Sequence, residues 1–235
     1  MVDIKHKKSA KDIFILAIMI CTAILITATG IRYEQNFLLI MPLYVSLIIG
    51  MLQSRVNRFA PLIGSMNSIV YGAVYIYFKL YGSAFSAFLF SCPIQLLTFI
   101  RWNKNKSGES TVLRKMSNKQ RLALALGFPA SVGILWAVLP LLGAEHVFLD
   151  SATTILGILI YFLTMFAFIE YPFFMIINGI INIILYITML KDTPEIATHL
   201  IFSVYSFICT IFAAFEAKKL YSAQQAEISA QNNMV

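Results

Sequence analysis

Eight apolar runs of membrane-spanning length, at 13–32, 37–54, 59–78, 83–102, 121–142, 148–168, 171–190 and 196–217, leave this chain few ways to fold. A hydrocarbon core about 30 Å thick takes roughly 20 apolar residues as a helix, and within it backbone amides must be bonded inside their own segment. The runs therefore predict an all-α integral membrane protein of eight transmembrane helices. Composition closes the soluble alternative. Only 12% of the 235 residues are charged, against about 25% in a soluble domain, too few to solvate a surface around so much apolar side chain.

The basic residues test the count. With the N-terminus inside, four basic residues of "KHKKSAK", two of "SRVNR", seven of 101–121, and Lys218 and Lys219 fall on one side, fifteen of the eighteen in the chain. Arg32, Lys79 and Lys191 remain outside. Adding or removing one span would scramble this segregation, which follows the positive-inside rule. The rule places both termini in the cytoplasm. It also accounts for the net charge of +7 without a nucleic-acid partner, because the positive charge sits between apolar runs rather than on a face. The first run is too long for a typical signal-peptide core and lacks a small-x-small cleavage site, so it is read as a retained helix.

Chemistry-bearing motifs are sparse. Cys21, Cys92 and Cys209 lie inside apolar runs with no CxxC or Cys/His spacing, as small apolar packers do. No HExxH, GxSxG or Walker A pattern occurs, and His6, His146 and His199 lie at or outside span ends. The expectation is no enzyme, no catalytic residue, no metal and no cofactor. Trp102 and Trp136 fall near span ends, where indoles anchor at the interface. Asp150, Glu170, Glu216 and His199 are read as interfacial for the same reason of position.

The third and seventh runs are related. Adding 111 to Pro61, Asn67, Tyr71 and Tyr75 gives Pro172, Asn178, Asn182 and Tyr186, identical at three of the four positions. A shared Pro, Asn and Tyr at fixed spacing points to duplication. Runs 2–4 then repeat as runs 6–8, and run 5 is the extra crossing that joins two three-helix bundles in the same orientation, as parallel repeats require. The expected units are 1–36, a basic N-terminus with an additional helix; 37–102, the first bundle; 103–147, a basic loop with the linker helix; 148–219, the second bundle; and 220–235, a frayed polar tail.

Positions four apart share a helix face, so Asn67, Tyr71 and Tyr75 form one stripe and Asn178, Asn182 and Tyr186 another. Gln95 falls at the same depth, with Ser206 beside it in the eighth run. An amide unpaired in hydrocarbon costs roughly 4–8 kcal/mol on the cyclohexane scale, so these groups must face protein or a wet cavity. Any single one could simply join helices, but two matched stripes at one depth between parallel repeats point to a midplane binding site. Its centre holds amides and aromatic rings and no ionisable group. That suits a neutral or charge-delocalised ligand and gives no device for proton coupling. Pro93, two residues before Gln95, frees a carbonyl and offers a hinge.

The stretches "APLIGSMNSIVYGAVYIYFKLYGSAFSAFLFSCPIQLLTFIRW" and "LDSATTILGILIYFLTMFAFIEYPFFMIINGIINIILYITML" resemble the PnuC family of bacterial nicotinamide riboside and related vitamin or nucleoside transporters. The resemblance covers about 40–220 and rests on Asn67 with Tyr71, Leu80-Tyr81-Gly82, Pro93-x-Gln95 before Trp102, Asp150 with Thr153 and Thr154, and Glu170, Asn178 and Tyr186. It implies a SWEET-like core in the bacterial inner membrane and facilitated diffusion, with the substrate trapped by a cytoplasmic kinase. A homo-oligomer is left open. The substrate residues expected on this basis are Asn67, Gln95 and Asn178 as hydrogen-bonding groups, Tyr71, Asn182 and Phe174 as shaping or stacking groups, and Tyr75, Tyr186 and Thr154 beside them.

Family members that take nicotinamide riboside often carry tryptophans beside these asparagines; here Ile63, Tyr171 and Phe174 stand there. Thiamine, riboflavin or a deoxynucleoside are therefore alternative cargoes. A reading from another class is a non-transporting membrane scaffold whose polar stripes only pack helices.

Overall fold

A computed structural model describes residues 10–232. The basic residues expected before position 10, and the last three residues of the tail, lie outside that range. The helices are α1 (Ala10–Arg32), α2 (Phe37–Gln53), α3 (Ala60–Tyr77), α4 (Tyr81–Ser86), α5 (Cys92–Lys104), α6 (Asn118–Val138), α7 (Val147–Met165), α8 (Tyr171–Met189) and α9 (Ala197–Asn232). A π-helical turn, Ala87–Ser91, joins α4 to α5 as one rod, so the described residues form eight helical rods, one for each apolar run. Their starts follow local sequence: Asn36 caps α2 by accepting from Leu38 N at 3.0 Å, a Ser117/Gln120 capping box opens α6, and Pro61 and Pro172 occupy first-turn positions of α3 and α8, where a missing N–H costs nothing, whereas Pro93 follows the π-helical turn inside its rod.

Among the described residues, six rods are long and apolar enough to cross a membrane, and α2 and α3 are not among them. Of the eight transmembrane helices expected, all eight form as helical rods and six meet that length and apolarity. Helix α2 has 17 residues, about 26 Å of rise. Helix α3 falls short in apolarity because it carries Ser65, Asn67 and Ser68, all buried against protein, so it has no need to be apolar all round.

Packing makes a closed ring. Helix α2 packs on α3, α3 on α5, α5 on α7, α7 on α8, α8 on α9, and α9 back on α2. Helix α1 lies outside the ring against α2 and α9, and α6 lies outside it against α7. Three apolar clusters hold the assembly. One gathers Ile15, Ile26, Leu43, Leu47 and Tyr205 between α1, α2 and α9. A second, with Val74, Phe78, Leu80, Leu185 and Ile196, lies at one end of the ring. The third, with Val56, Trp102, Leu113, Met116, Leu163, Phe168 and Tyr171, lies at the basic end.

The basic end is strapped. The connection after α5 forms a two-residue hairpin, Lys106–Ser107 with Ser110–Thr111. It then lays Arg114 against the α7–α8 turn, with Arg114 N donating to Ala167 O at 2.9 Å and Ile169 N to Arg114 O at 2.8 Å. Helix α9 was expected to stop near 217, but its 36 residues run to Asn232, about 54 Å. Ala, Gln and Glu in the expected tail are good helix formers, and the extension has a partner: buried Gln224 donates to Thr111 O at 3.0 Å and accepts from Leu113 N at 2.9 Å. Lys11 reaches the same end, bonding Ser54 O and Glu216, each at 3.0 Å. At the opposite end Lys79 and Glu145 pair at 2.7 Å, which raises the ammonium and lowers the carboxyl from their ordinary values.

Candidate functional site

The ring encloses a cavity of about 280 Å³ to which all six of its helices contribute. Helix α3 contributes Asn67, Ser68, Tyr71 and Tyr75; α8 contributes Asn178, Asn182 and Tyr186; the α4–α5 rod contributes Ser91, Gln95 and Thr98. Ser46 of α2, Tyr161 of α7, and His199, Ser203 and Ser206 of α9 complete the polar wall. Among these lining residues there is no Asp, Glu, Lys or Arg.

Seven expected site residues, Asn67, Tyr71, Tyr75, Gln95, Asn178, Asn182 and Tyr186, meet at this cavity. Phe174 and Thr154 do not line it. Phe174 packs against the basic-end cluster and edge-on to Phe173, with ring centroids 5.6 Å apart. It sits four residues before Asn178, yet the wall there is supplied by Tyr171 and Met175. Thr154 is buried beside the close approach of Gly82 to α7, away from the cavity wall.

The amides are used differently. Asn67 Nδ2 donates to Pro42 O at 2.9 Å and to Ser46 Oγ at 2.8 Å, joining α3 to α2. Gln95 Nε2 donates to Ser91 Oγ at 2.6 Å and Ser68 Oγ at 3.0 Å. Ser68 in turn bonds Gly64 O at 2.8 Å. Its hydroxyl also meets Ser91 Oγ at 2.5 Å, so the π-helical turn that carries Ser91 is part of the network. Such turns recur at functional sites because they widen the helix and re-aim side chains. Gly64 gives Gln95 its room: a Cβ there would collide with the carboxamide. Asn182 Nδ2 donates to Asn178 O at 2.9 Å. Asn178 Oδ1, buried, has no partner.

Aromatic rings shape the end of the cavity away from the strap. Tyr71 stacks on Tyr75 with centroids 5.5 Å apart. His199, expected at the interface, is 2% exposed and meets Phe78, Tyr186 and Tyr71 edge-on at 5.2, 6.0 and 6.4 Å. Asp150, also expected at the interface, is fully buried. Its carboxylate accepts from Gly82 N at 3.0 Å, Ser83 N at 3.1 Å and Ser83 Oγ at 2.5 Å, holding the start of α4 against α7. Trp102 is likewise no interfacial anchor: it is 2% exposed and donates from Nε1 to Thr164 O at 2.8 Å, at the strapped end of the cavity. Trp136, by contrast, is exposed. Glu170 stays at the basic end, where it pairs with Arg121 at 2.7 Å.

Sequence reasoning missed Tyr161 and His199 as lining residues, and had no periodic signal for either. Ser206 was visible, because the 111-residue shift takes Gln95 to it.

Residues 36–218 match the family model described as nicotinamide mononucleotide transporter. No curated protein matches the chain. Among solved structures, the chain is similar to the crystal structure of the vitamin B3 transporter PnuC, with a TM-score of 0.78 and 17% identity, covering 92% of this chain and 93% of that one. At that identity the likeness speaks to the fold.

Proposed function

Because the chain belongs to the nicotinamide mononucleotide transporter family, whose members are membrane transporters rather than enzymes, we propose that its central cavity carries nicotinamide riboside or a close nucleoside or vitamin relative. Transport is facilitated diffusion across a bacterial inner membrane. The observation that carries this reading is the wall itself: amides, hydroxyls and aromatic rings, with no Asp, Glu, Lys or Arg among the described lining residues. A phosphate dianion taken out of water needs cationic partners, so the dephosphorylated riboside fits this wall and the mononucleotide does not. A wall without a carboxylate also lacks a charged anchor for a coupling ion. Trapping of the imported compound then falls to a cytoplasmic kinase.

The basic end, with Lys11, the 101–121 connection and Lys218, is the cytoplasmic face on this account, as the positive-inside rule requires. The ring is built from two parallel repeats, α2, α3 and the α4–α5 rod matching α7, α8 and α9. Beyond the shared Pro, Asn and Tyr, the 111-residue shift takes Val56 to Ala167. These are two buried non-glycine residues with left-handed backbone, φ 53° and 55°, a conformation that side chains seldom adopt and branched ones least. The same shift lays α1 on α6, and each packs against the helix that follows it.

A thermal-shift panel on detergent-purified protein tests the cargo. Nicotinamide riboside should raise the melting temperature and nicotinamide mononucleotide should not. Preference for the mononucleotide would overturn the reading of the wall; stabilisation by thiamine, riboflavin or a deoxynucleoside would move the cargo within the class; no stabilisation by any of them would favour the scaffold.

A further inference from the structure

We propose that His199 is a specificity-determining residue of this site, a hydrogen-bond acceptor that works with Asn178 Oδ1 to select ligands carrying N–H or O–H groups. The proposal rests on the transport-site reading above. His199 sits in the first turn of α9, lines the cavity, and is 2% exposed. Its ring bridges the halves of the bundle, meeting Tyr71 and Phe78 from the α3 side and Tyr186 of α8.

The tautomer follows from counting hydrogens. His199 Nδ1 lies 3.3 Å from Thr198 Oγ1, and the same hydroxyl bonds Glu195 O at the shorter distance of 3.1 Å. A hydroxyl has one hydrogen, and a carbonyl can only accept, so toward the imidazole the Thr198 oxygen acts as acceptor. Nδ1 therefore carries the ring proton. Nε2 is left with a lone pair, and it has no partner.

Asn178 Oδ1 is the matching case on α8, a buried acceptor with no partner. The amide donors nearby are already engaged, since both hydrogens of Asn67 Nδ2 and both of Gln95 Nε2 go to protein oxygens, while the buried Tyr71 hydroxyl has no partner and can donate or accept. Among its amide and imidazole groups, the wall thus offers acceptors. Burying an acceptor without a donor is unfavourable, and two such groups on residues that line one cavity define their ligand: a neutral or charge-delocalised molecule with at least two donors, such as sugar hydroxyls or a primary carboxamide.

The test is a double-mutant cycle on the full-length protein with nicotinamide riboside and analogues that each lack one donor (a single hydroxyl removed, or the carboxamide N-dimethylated). His199→Phe keeps the aromatic packing and deletes the acceptor; it should raise Kd roughly tenfold with the unliganded melting temperature little changed. One analogue should lose a similar factor on wild type and lose nothing further on His199→Phe. If every analogue loses as much on the variant as on wild type, the acceptor role is wrong. Should His199→Phe not fold, the same cycle is run with His199→Met, and failure of both to fold would make His199 a packing residue and overturn the proposal. Wild-type protein that binds no riboside at all would instead refute the transport-site reading itself.

Discussion

Asn67 Nδ2 lies 2.8 Å from Ser46 Oγ and 2.9 Å from the carbonyl of Pro42, so the amide that is most prominent in the sequence has both hydrogens committed to helix α2. Its counterpart Asn178 keeps an unpartnered oxygen in the same cavity. Two residues matched in sequence thus divide the work of holding helices and meeting a ligand. Asn67→Leu should lower stability by about 1 kcal/mol, the scale of an interhelical hydrogen bond in a membrane, with a modest loss of riboside affinity. Asn178→Leu should do the reverse, keeping the melting temperature and abolishing the ligand-induced shift. Paired thermal-shift curves with and without ligand distinguish the two outcomes.

Gly64 should be intolerant of a side chain for a local reason. A Cβ there would meet the Gln95 carboxamide, pushing Gln95 off Ser91 and Ser68. Gly64→Ala is expected to leave the fold in place, since a flexible side-chain end can move, and to weaken riboside binding by roughly tenfold through the lost placement of one amide. Equal affinity of wild type and variant would remove Gln95 from the ligand contacts.

Asp150 is a clamp. Its three bonds to Gly82 and Ser83 fix the turn between α3 and α4, and removing the carboxylate would strand two main-chain N–H groups. Asp150→Ala should cost about 3 kcal/mol, the sum of unmet donors at 1–3 kcal/mol each, seen as a lower melting temperature with and without ligand. An unchanged melting temperature would refute the clamp.

The strap is testable by protease. Gln224 bonds the segment at Thr111 O and Leu113 N, and Arg114 and Lys115 follow directly. Gln224→Ala should speed tryptic cleavage within 104–117 several-fold while α1 to α5 stay intact. Cleavage at the wild-type rate would mean that α9 does not secure the strap.

Depth along a helix was legible in the sequence; what folds over each helix end was not. The eight rods, the stripes of α3 and α8, and the level of Gln95 follow from periodicity and run length. Asp150, His199 and Trp102 lie near span ends and so read as interfacial, yet each is buried by a segment distant in the chain: the α3–α4 turn over Asp150, the tyrosines of α3 and α8 around His199, the α7 terminus over Trp102. Phe174 read as a stacking group because it neighbours Asn178 in sequence. Four residues keep it on nearly the same face but set it about 6 Å further along the axis, level with the basic-end cluster that it packs against. The extension of α9 was misread because a polar composition looks like a tail, while its Ala and Gln content is that of a helix with Gln224 on its buried side.

Proteoliposomes containing the purified protein and labelled nicotinamide riboside test the central claim of passive transport through an uncharged cavity. Interior label should rise to the external concentration and stop there, at a rate unchanged by ionophores that collapse proton and sodium gradients. Accumulation above the external concentration that depends on either gradient would contradict it.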